Sequence, residues 1–465
     1  MRENVTFAPR NYTYTEMDTL VQIGQILFIL SVLVILHEFG HYLPAKLFKV
    51  RVEKFYLFMD PYFSLVKKKI NDTEWGIGWL PIGGYVKLSG MIDESMDAKQ
   101  MAQPAQPWEF RAKKPWQRLI IMLGGITVNI ILAWFLYVSI YSFYGEKYIS
   151  TTEFQKNGLA FTEVGKGVGF ENGDRIVSVD GEFQKKFNRM IIDILLGDKV
   201  IVERNGRNVE IILTDAHKKE ILSTEGRNFI MPRITGASVD SIIPKSNAQK
   251  AGLEKGDVIT SLNGTKIKYF DEFSSKLQKL PNDSVKIEVL RDDVPMLISA
   301  KTDSLGKVGF LPTYSTKEGR KKFQVTNHVS FLKAIPMAVD ESYTQFVYNI
   351  KQFKLILKPK TEAYKQVKSP IGITRQLPTE WHWETIWTFM AAFSIGLAFM
   401  NLLPIPGLDG GHALFTIAEM ITGRTLSIKS AERVQTAGMI ILLSLMALTF
   451  GKDIYEIIAD NFFKK

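Results

Sequence analysis

From Leu20 to Leu36 the chain is almost entirely apolar, and the run closes on His37-Glu38-Phe39-Gly40-His41. A helix needs about 20 predominantly apolar residues to cross the hydrocarbon of a bilayer, so this stretch has transmembrane character. Residues four apart on a helix share a face, one turn from each other. His37 and His41 can therefore present two imidazoles to one Zn²⁺, with Glu38 pointing at the water such an ion activates. That is the arrangement of a metal hydrolase, in which zinc polarises a carbonyl and a carboxylate takes the proton as the bond is attacked. The bland alternative is a pair of interfacial histidines beside a snorkelling glutamate. Titratable groups at membrane depth are expensive to hold, and that cost favours a working site.

At 465 residues the chain is too long for one core, and several modules are expected. Its mean hydropathy is +0.00 although 23% of residues are charged, which points to apolar spans diluted by polar domains. The formal charge of +10 comes from scattered lysines and arginines without an aromatic-basic motif. It reads as membrane topology and attraction to the lipid bilayer surface, with no nucleic acid partner. Cysteine is absent, which excludes disulfides and thiolate metal sites. The polar residues 1–19 hold no signal-peptide core, so the first apolar run is expected to remain as an uncleaved anchor. Met1 and Met17 both stand as candidate starts.

Four apolar spans are expected. The first, about Leu20 to Leu43, is predicted to end at Pro44, which cannot donate to a helix ladder. The connection from Ala45 to Lys114 is rich in lysine and arginine, including Lys67-Lys68-Lys69, and by the positive-inside rule lies in the cytoplasm. Within it, Trp75 to Leu88 alternates glycine with aromatic and branched residues, a pattern suited to a twisted β-hairpin. Such a hairpin either covers the protein or offers a free edge to an extended substrate strand, and residue chemistry alone slightly favours the cover. The second span, Trp116 to Phe143, contains Gly124-Gly125, which permit close helix contact, and Asn129, read as a packing hydrogen bond. The third span begins near Trp387 and is broken by Asn401-Leu402-Leu403-Pro404-Ile405-Pro406-Gly407-Leu408-Asp409-Gly410-Gly411-His412. Irregular backbone at such depth is tolerated where protein or water covers it, so a site is expected here. Asp409 supplies a carboxylate to complete His₂Asp, with a helix N-cap as its alternative role. Asn401 is a candidate partner for a substrate carbonyl or oxyanion, and His412 stands at most behind the ligands. A fourth run, about Ala437 to Phe450, precedes the terminal Lys464-Lys465.

Between the second and third spans the pattern is that of soluble mixed domains. Gly169 to Gly181 recurs as Gly252 to Gly264, so that Gly173-Asp174 matches Gly256-Asp257 and one unit is duplicated. The Gly-Asp turn, the short apolar strand and the closing Asp-Gly or Asn-Gly turn resemble the centre of PDZ domains, and Ala248-Gln249-Lys250-Ala251-Gly252-Leu253 strengthens the likeness in the second copy. Such units either capture peptides by strand addition or exclude bulky substrates. Val329 to Leu357 reads as an amphipathic helix, either bracing these domains against the membrane or, by preference, simply packed.

With His37-Glu38-Phe39-Gly40-His41, then a duplicated unit, then Asn401 to Gly411, the chain resembles bacterial site-2 proteases of the RseP type from about Leu20 onward. Gly83-Gly84-Tyr85-Val86-Lys87 looks like that family's membrane-reentrant β-loop, and Ser369 to Ile373 like its segment before the third span. Leu123-Gly124-Gly125 departs from the Ala-Gly-Pro of many relatives. The resemblance implies an α-helical membrane protein with about four transmembrane helices, a membrane-reentrant β-hairpin and inserted α/β tandem PDZ domains. The expected divisions are 1–19 polar segment, 20–144 first membrane part, 145–228 and 229–315 PDZ-like domains, 316–385 helical connector and 386–465 second membrane part.

It further implies a zinc metalloendopeptidase with Zn²⁺ on His37, His41 and Asp409, and Glu38 as base. Asn401, Pro404, Gly83, Gly84, Tyr85 and Val86 would contact substrate. The substrates implied are membrane-spanning segments of pre-trimmed single-span proteins, such as an anti-sigma factor or signal peptide remnants, with further peptide ligands for the PDZ domains. The implied location is the bacterial inner membrane, PDZ domains in the periplasm and active site towards the cytoplasm. The competing expectation is a membrane-anchored PDZ scaffold with a vestigial metal site.

Overall fold

Six long helices carry the architecture: α1 (Glu16–Leu47), α2 (Pro115–Tyr144), α3 (Phe331–Ile356), α4 (Trp383–Leu402), α5 (Asp409–Thr422) and α6 (Ile428–Phe462). This is a computed structural model, and it describes residues 16–91, 103–224, 229–312, 319, 321–424 and 427–462. The segment 1–15 and the terminal lysines lie outside the described residues. Among the described residues four helices are long and apolar enough to cross a membrane, in α1, α2, α4 and α6.

Pro44 does not end α1, which continues to Leu47. A proline near the end of a helix removes one hydrogen bond, to the carbonyl four residues back, and that carbonyl belongs to Gly40. Here α2 lies against it: a Cβ on Gly124 would stand 2.0 Å from the Gly40 oxygen, and a Cβ on Gly40 would stand 2.4 Å from the Gly124 oxygen. The two helices therefore cross with backbone against backbone. Their shared apolar cluster, with Leu33, Tyr137 and Tyr141, also takes in Ala334 and Ala338 of α3 and Met390 of α4.

The glycine-rich stretch is not a hairpin closed on itself. Strand β1 (Val52–Ile70) pairs with β2 (Thr73–Leu88), and both fold back, so Lys54–Leu57 is partnered twice. Glu74–Ile77 flanks it on one side and Gly84–Lys87 on the other, while 64–70 pairs outside 73–78. The result is four strand segments, with 64–70 and 84–88 at the two edges. The sequence marks 64–70 only as part of a basic connection, and its lysines carry no strand signal.

Beyond α2, two repeats each enclose a core. The first runs from Phe154 to Ile230 and the second from Ala237 to Val308. The expected division at 228/229 falls too early: strand Ile230–Pro232 pairs with Leu159–Phe161, and Phe229 is fully buried in the first core. The connector expected to be helical from 316 contains strand Gln324–Asn327, which pairs with Glu146–Ile149 just past α2 and returns the chain to the membrane.

The duplication reaches individual atoms. Arg204 Nε and Nη2 donate to the two oxygens of Asp174 at 2.8 and 2.7 Å, and Nη1 reaches Glu171 at 2.7 Å. Arg291 repeats this on Asp257, at 2.7 and 2.8 Å, and on Glu254, at 2.7 Å. Both aspartates are buried under the turns that the Gly-Asp pairs make.

Helix α3 braces the first repeat against the membrane part, a role the sequence placed second to ordinary packing. Glu341 accepts from Tyr141 of α2 at 2.8 Å and pairs with Lys186 and Arg189 of the repeat. On the far side, buried Asp453 of α6 accepts from the Ser369 N–H at 2.7 Å and the Gly372 N–H at 3.2 Å, tying the connector to the fourth span.

Burial pushes the Asp257 carboxyl up, but Arg291 and the Glu254 N–H more than offset it and hold it below the ordinary range. A depressed folded pKa gives stability that is present at neutral pH and lost as pH falls through that pKa. Amide exchange in Val258–Leu262 and Ser284–Arg291 should therefore rise as pH drops below about 4. Arg291→Met should cost the second repeat about 3 kcal/mol at neutral pH by leaving the buried carboxylate unpaired. It should also invert that dependence, since burial then holds the carboxyl above its ordinary range and part of the loss is recovered as pH falls, read by the same exchange.

Candidate metal centre

The three candidate ligands come from two helices brought together across the membrane part. His37 and His41 sit one turn apart on α1, and Asp409 is the first residue of α5. The bend from Leu403 to Leu408 turns the chain between α4 and α5. Gly410 and Gly411 let it fold back tightly: their Cβ atoms would stand 2.4 Å from the Leu403 oxygen and 2.6 Å from the Ile405 oxygen. Arg118 of α2 pairs with Glu419 at 2.5 Å and pins α5 in place.

His37 Nε2 and His41 Nε2 are 3.3 Å apart. Asp409 Oδ2 is 3.3 Å from the first and 3.2 Å from the second. An ion held tetrahedrally at about 2.0–2.1 Å from three such atoms separates them by about 3.3–3.4 Å, so the triangle has the size zinc requires. Leu408 occupies the N-cap position of α5 and Asp409 the first helical one, and Asp409 Oδ2 is buried without a hydrogen-bond donor. The carboxylate thus faces the histidines and not the helix terminus. His412 is not one of the three.

Both imidazoles are held from behind. His41 Nδ1 lies 2.8 Å from the Ile121 carbonyl, to which its N–H donates, and this leaves the Nε2 lone pair free towards the centre. His37 Nδ1 lies 3.0 Å from the Asn129 amide. The atom facing Nδ1 is Nδ2, while Oδ1 is buried without a partner, and turning the amide by 180° would let Oδ1 accept the imidazole N–H. Asn129 is therefore more than the packing contact expected from its sequence position. Its carbonyl also accepts from Ser394 of α4 at 2.7 Å, which sets the third helix at this level.

Gly125 completes the wall. A Cβ there would stand 2.5 Å from His41 Nε2 and 2.6 Å from His37 Cε1. Gly125 and Asn129 are four apart on α2, one turn on one face, and that spacing was the signal available for finding them.

The remaining candidates divide. Glu38 is 9% exposed, and a Cβ on Gly84 would lie 3.6 Å from its Cγ, so the edge segment 84–88 passes beside it. The Asn401 amide is 3.2 Å from His37 Nε2. Tyr85 turns away: its hydroxyl donates to Asp60 at 2.8 Å and its ring stacks on Tyr56. Burial and that carboxylate push its phenol up, so it stays protonated. Val86 packs against the cluster of Ala45, Val52 and Leu88, Gly83 is exposed with φ at 70°, and Pro404 is exposed in the bend.

The chain matches the model of peptidase family M50 over residues 25–445. It is similar to a protein of Neisseria meningitidis named as a candidate zinc metalloprotease, 26% identical over 93% of this chain and 98% of that one. It is also similar to the regulator of sigma E protease of Haemophilus influenzae and to regulator of sigma-E protease RseP of Escherichia coli. Both are 25% identical over 94% of this chain and 99% of theirs.

Asn129→Leu, which removes the acceptor behind His37, should weaken zinc binding about 10–100-fold in chelator competition, whereas Asn129→Asp should retain most of it. Gly125→Ala should lower zinc content with α2 still formed, read by metal analysis and circular dichroism.

Proposed function

This chain belongs to peptidase family M50, the site-2 proteases, and on that footing we propose that it cleaves within membrane-spanning segments of pre-trimmed single-span proteins. It is a zinc metalloendopeptidase. The observation that carries the reading is the triangle of ligand atoms with 3.2–3.3 Å edges, built on helices apolar enough to cross a membrane.

His37, His41 and Asp409 hold the zinc in this reading, which supplies Lewis acidity to the scissile carbonyl and lowers the pKa of water. Glu38, next to His37 in sequence, takes the proton of the attacking water and delivers it to the leaving amine. Asn401 donates its amide to the oxygen on which charge develops. A helical amide is shielded by its own hydrogen bonds, so a transmembrane substrate must be drawn into an extended form. The edge of segment 84–88 beside Glu38 supports strand pairing as the means, with Gly83, Gly84, Tyr85 and Val86 contributing backbone and the side chain of Tyr85 held out of the way by Asp60.

The two repeats are read as PDZ units in the periplasm, with the site towards the cytoplasmic face of the inner membrane. The lysine-rich connection supports that orientation. Two relatives are named for regulation of sigma E, which supports an anti-sigma factor as one substrate class, beside signal-peptide remnants.

The test is cleavage of a single-span model substrate in reconstituted membranes, with zinc measured on the same samples. Glu38→Gln should keep its zinc and lose cleavage by about 10²–10⁴-fold. Substrate held but uncut by a zinc-free wild type would support the scaffold reading.

A further inference from the structure

The sheet made by β1 and β2 leaves a second opening, away from the edge beside Glu38. A cleft of about 410 Å³ lies between one face of the sheet and α1, lined by Ile35 and Phe39 of the helix and by Phe55, Leu57, Val66, Lys68, Trp75 and Ile77 of the sheet. Its volume falls in the range of roughly 300–1,000 Å³ typical of small-molecule sites. Cross-strand pairing arranges its floor in two rows. Leu57, Ile77 and Val66 form one, and Phe55, Trp75 and Lys68 the other.

The rows differ in chemistry along the helix. The row with Lys68 lies near the end of α1 that carries Tyr42, whose ring packs on Trp75 at 5.3 Å and has Lys46 Nζ 5.5 Å from its centroid. The other row faces Ile35, further into the apolar run, and continues to the exposed aromatic residues Phe63 and Trp79. One end of the cleft is thus cationic and the other apolar. Val66 is 62% exposed and Ile77 40%, and both stand beside a helix long and apolar enough to cross a membrane, where an acyl chain would lie. Among the described residues, Lys67, Lys68 and Lys69 have no carboxylate within ion-pair distance.

We propose that this cleft binds an anionic phospholipid, with one acyl chain along Leu57, Ile77 and Val66 and the phosphate at Lys68. Charge complementarity selects the headgroup: Lys68, the cation that lines the cleft and has no ion-pair partner, favours a lipid of net negative charge by about 1 kcal/mol, or about fivefold. The apolar row selects a chain, and the absence of polar side chains there leaves nothing for a sugar or nucleotide to bond. A bound lipid fixes the sheet against α1 on the face opposite the strand edge beside Glu38. The proposal needs only the membrane spans and is independent of peptidase chemistry.

Trp75 in the cleft reports occupancy. The full chain is placed in phosphatidylcholine bilayers containing bromine-labelled phosphatidylglycerol or bromine-labelled phosphatidylcholine, and the Trp75 signal is taken as the difference from Trp75→Phe. Phosphatidylglycerol should quench it at about fivefold lower mole fraction than phosphatidylcholine. Lys68→Glu should remove that preference, and Ile77→Phe, which adds bulk to the acyl-chain row, should weaken the quenching by either lipid. Equal quenching by the two lipids, a preference that survives Lys68→Glu, or quenching unchanged in Ile77→Phe would each overturn the assignment. Relief of quenching by a single-span polypeptide would give the cleft to a protein segment instead.

Discussion

The close crossing of α1 and α2 is the contact on which the rest depends. Gly40 and Gly124 bring the two backbones together, and one residue further along Gly125 lies against both imidazoles. Any side chain at these positions would part the helices and move Asn129 and the Ile121 carbonyl away from the rings they hold. Helix association in lipid has little hydrophobic drive, so backbone contact of this kind and buried hydrogen bonds supply the adhesion. The same interface that packs the membrane part therefore also sets the tautomer and orientation of its two histidines.

The third ligand arrives by a different device. A helix cannot deliver a carboxylate sideways into a neighbour's interior, but a helix N-terminus following a bend can. Pro404, Pro406 and the glycine pair interrupt α4 at membrane depth, and the exposed backbone is covered by Gly438 of α6, where a Cβ would stand 1.9 Å from the Pro406 oxygen. The fourth span thus seals the bend while remaining the least enclosed of the four, with 11% of its apolar window buried.

Outside the membrane, the chain is stitched by charge. Glu341 gathers Tyr141, Lys186 and Arg189, so the first repeat, α3 and α2 meet at one carboxylate. Arg233 joins the repeats to each other through Asp271 and Glu272, with its guanidinium 4.0 Å from the Tyr269 ring centroid. Two repeats that differ in sequence keep the same arginine clamp on their Gly-Asp turns, from Arg204 and Arg291, which lie outside the repeated stretch itself.

Sequence alone determined what depends on local spacing: an apolar run ending in two histidines one turn apart, a second motif that breaks a helix and carries Asp409, and a duplicated turn. It could not determine what depends on distance in the chain. Asn129 and Gly125 look like ordinary span residues until α2 is laid across α1, because their meaning comes from a partner some ninety positions away. The four-segment sheet was hidden for a related reason, since the lysines of 64–70 give a strand at the membrane surface the composition of a loop. Only tertiary structure decides which backbone a glycine touches and which imidazole an amide faces, because those contacts are made between helices whose order in space no local pattern records.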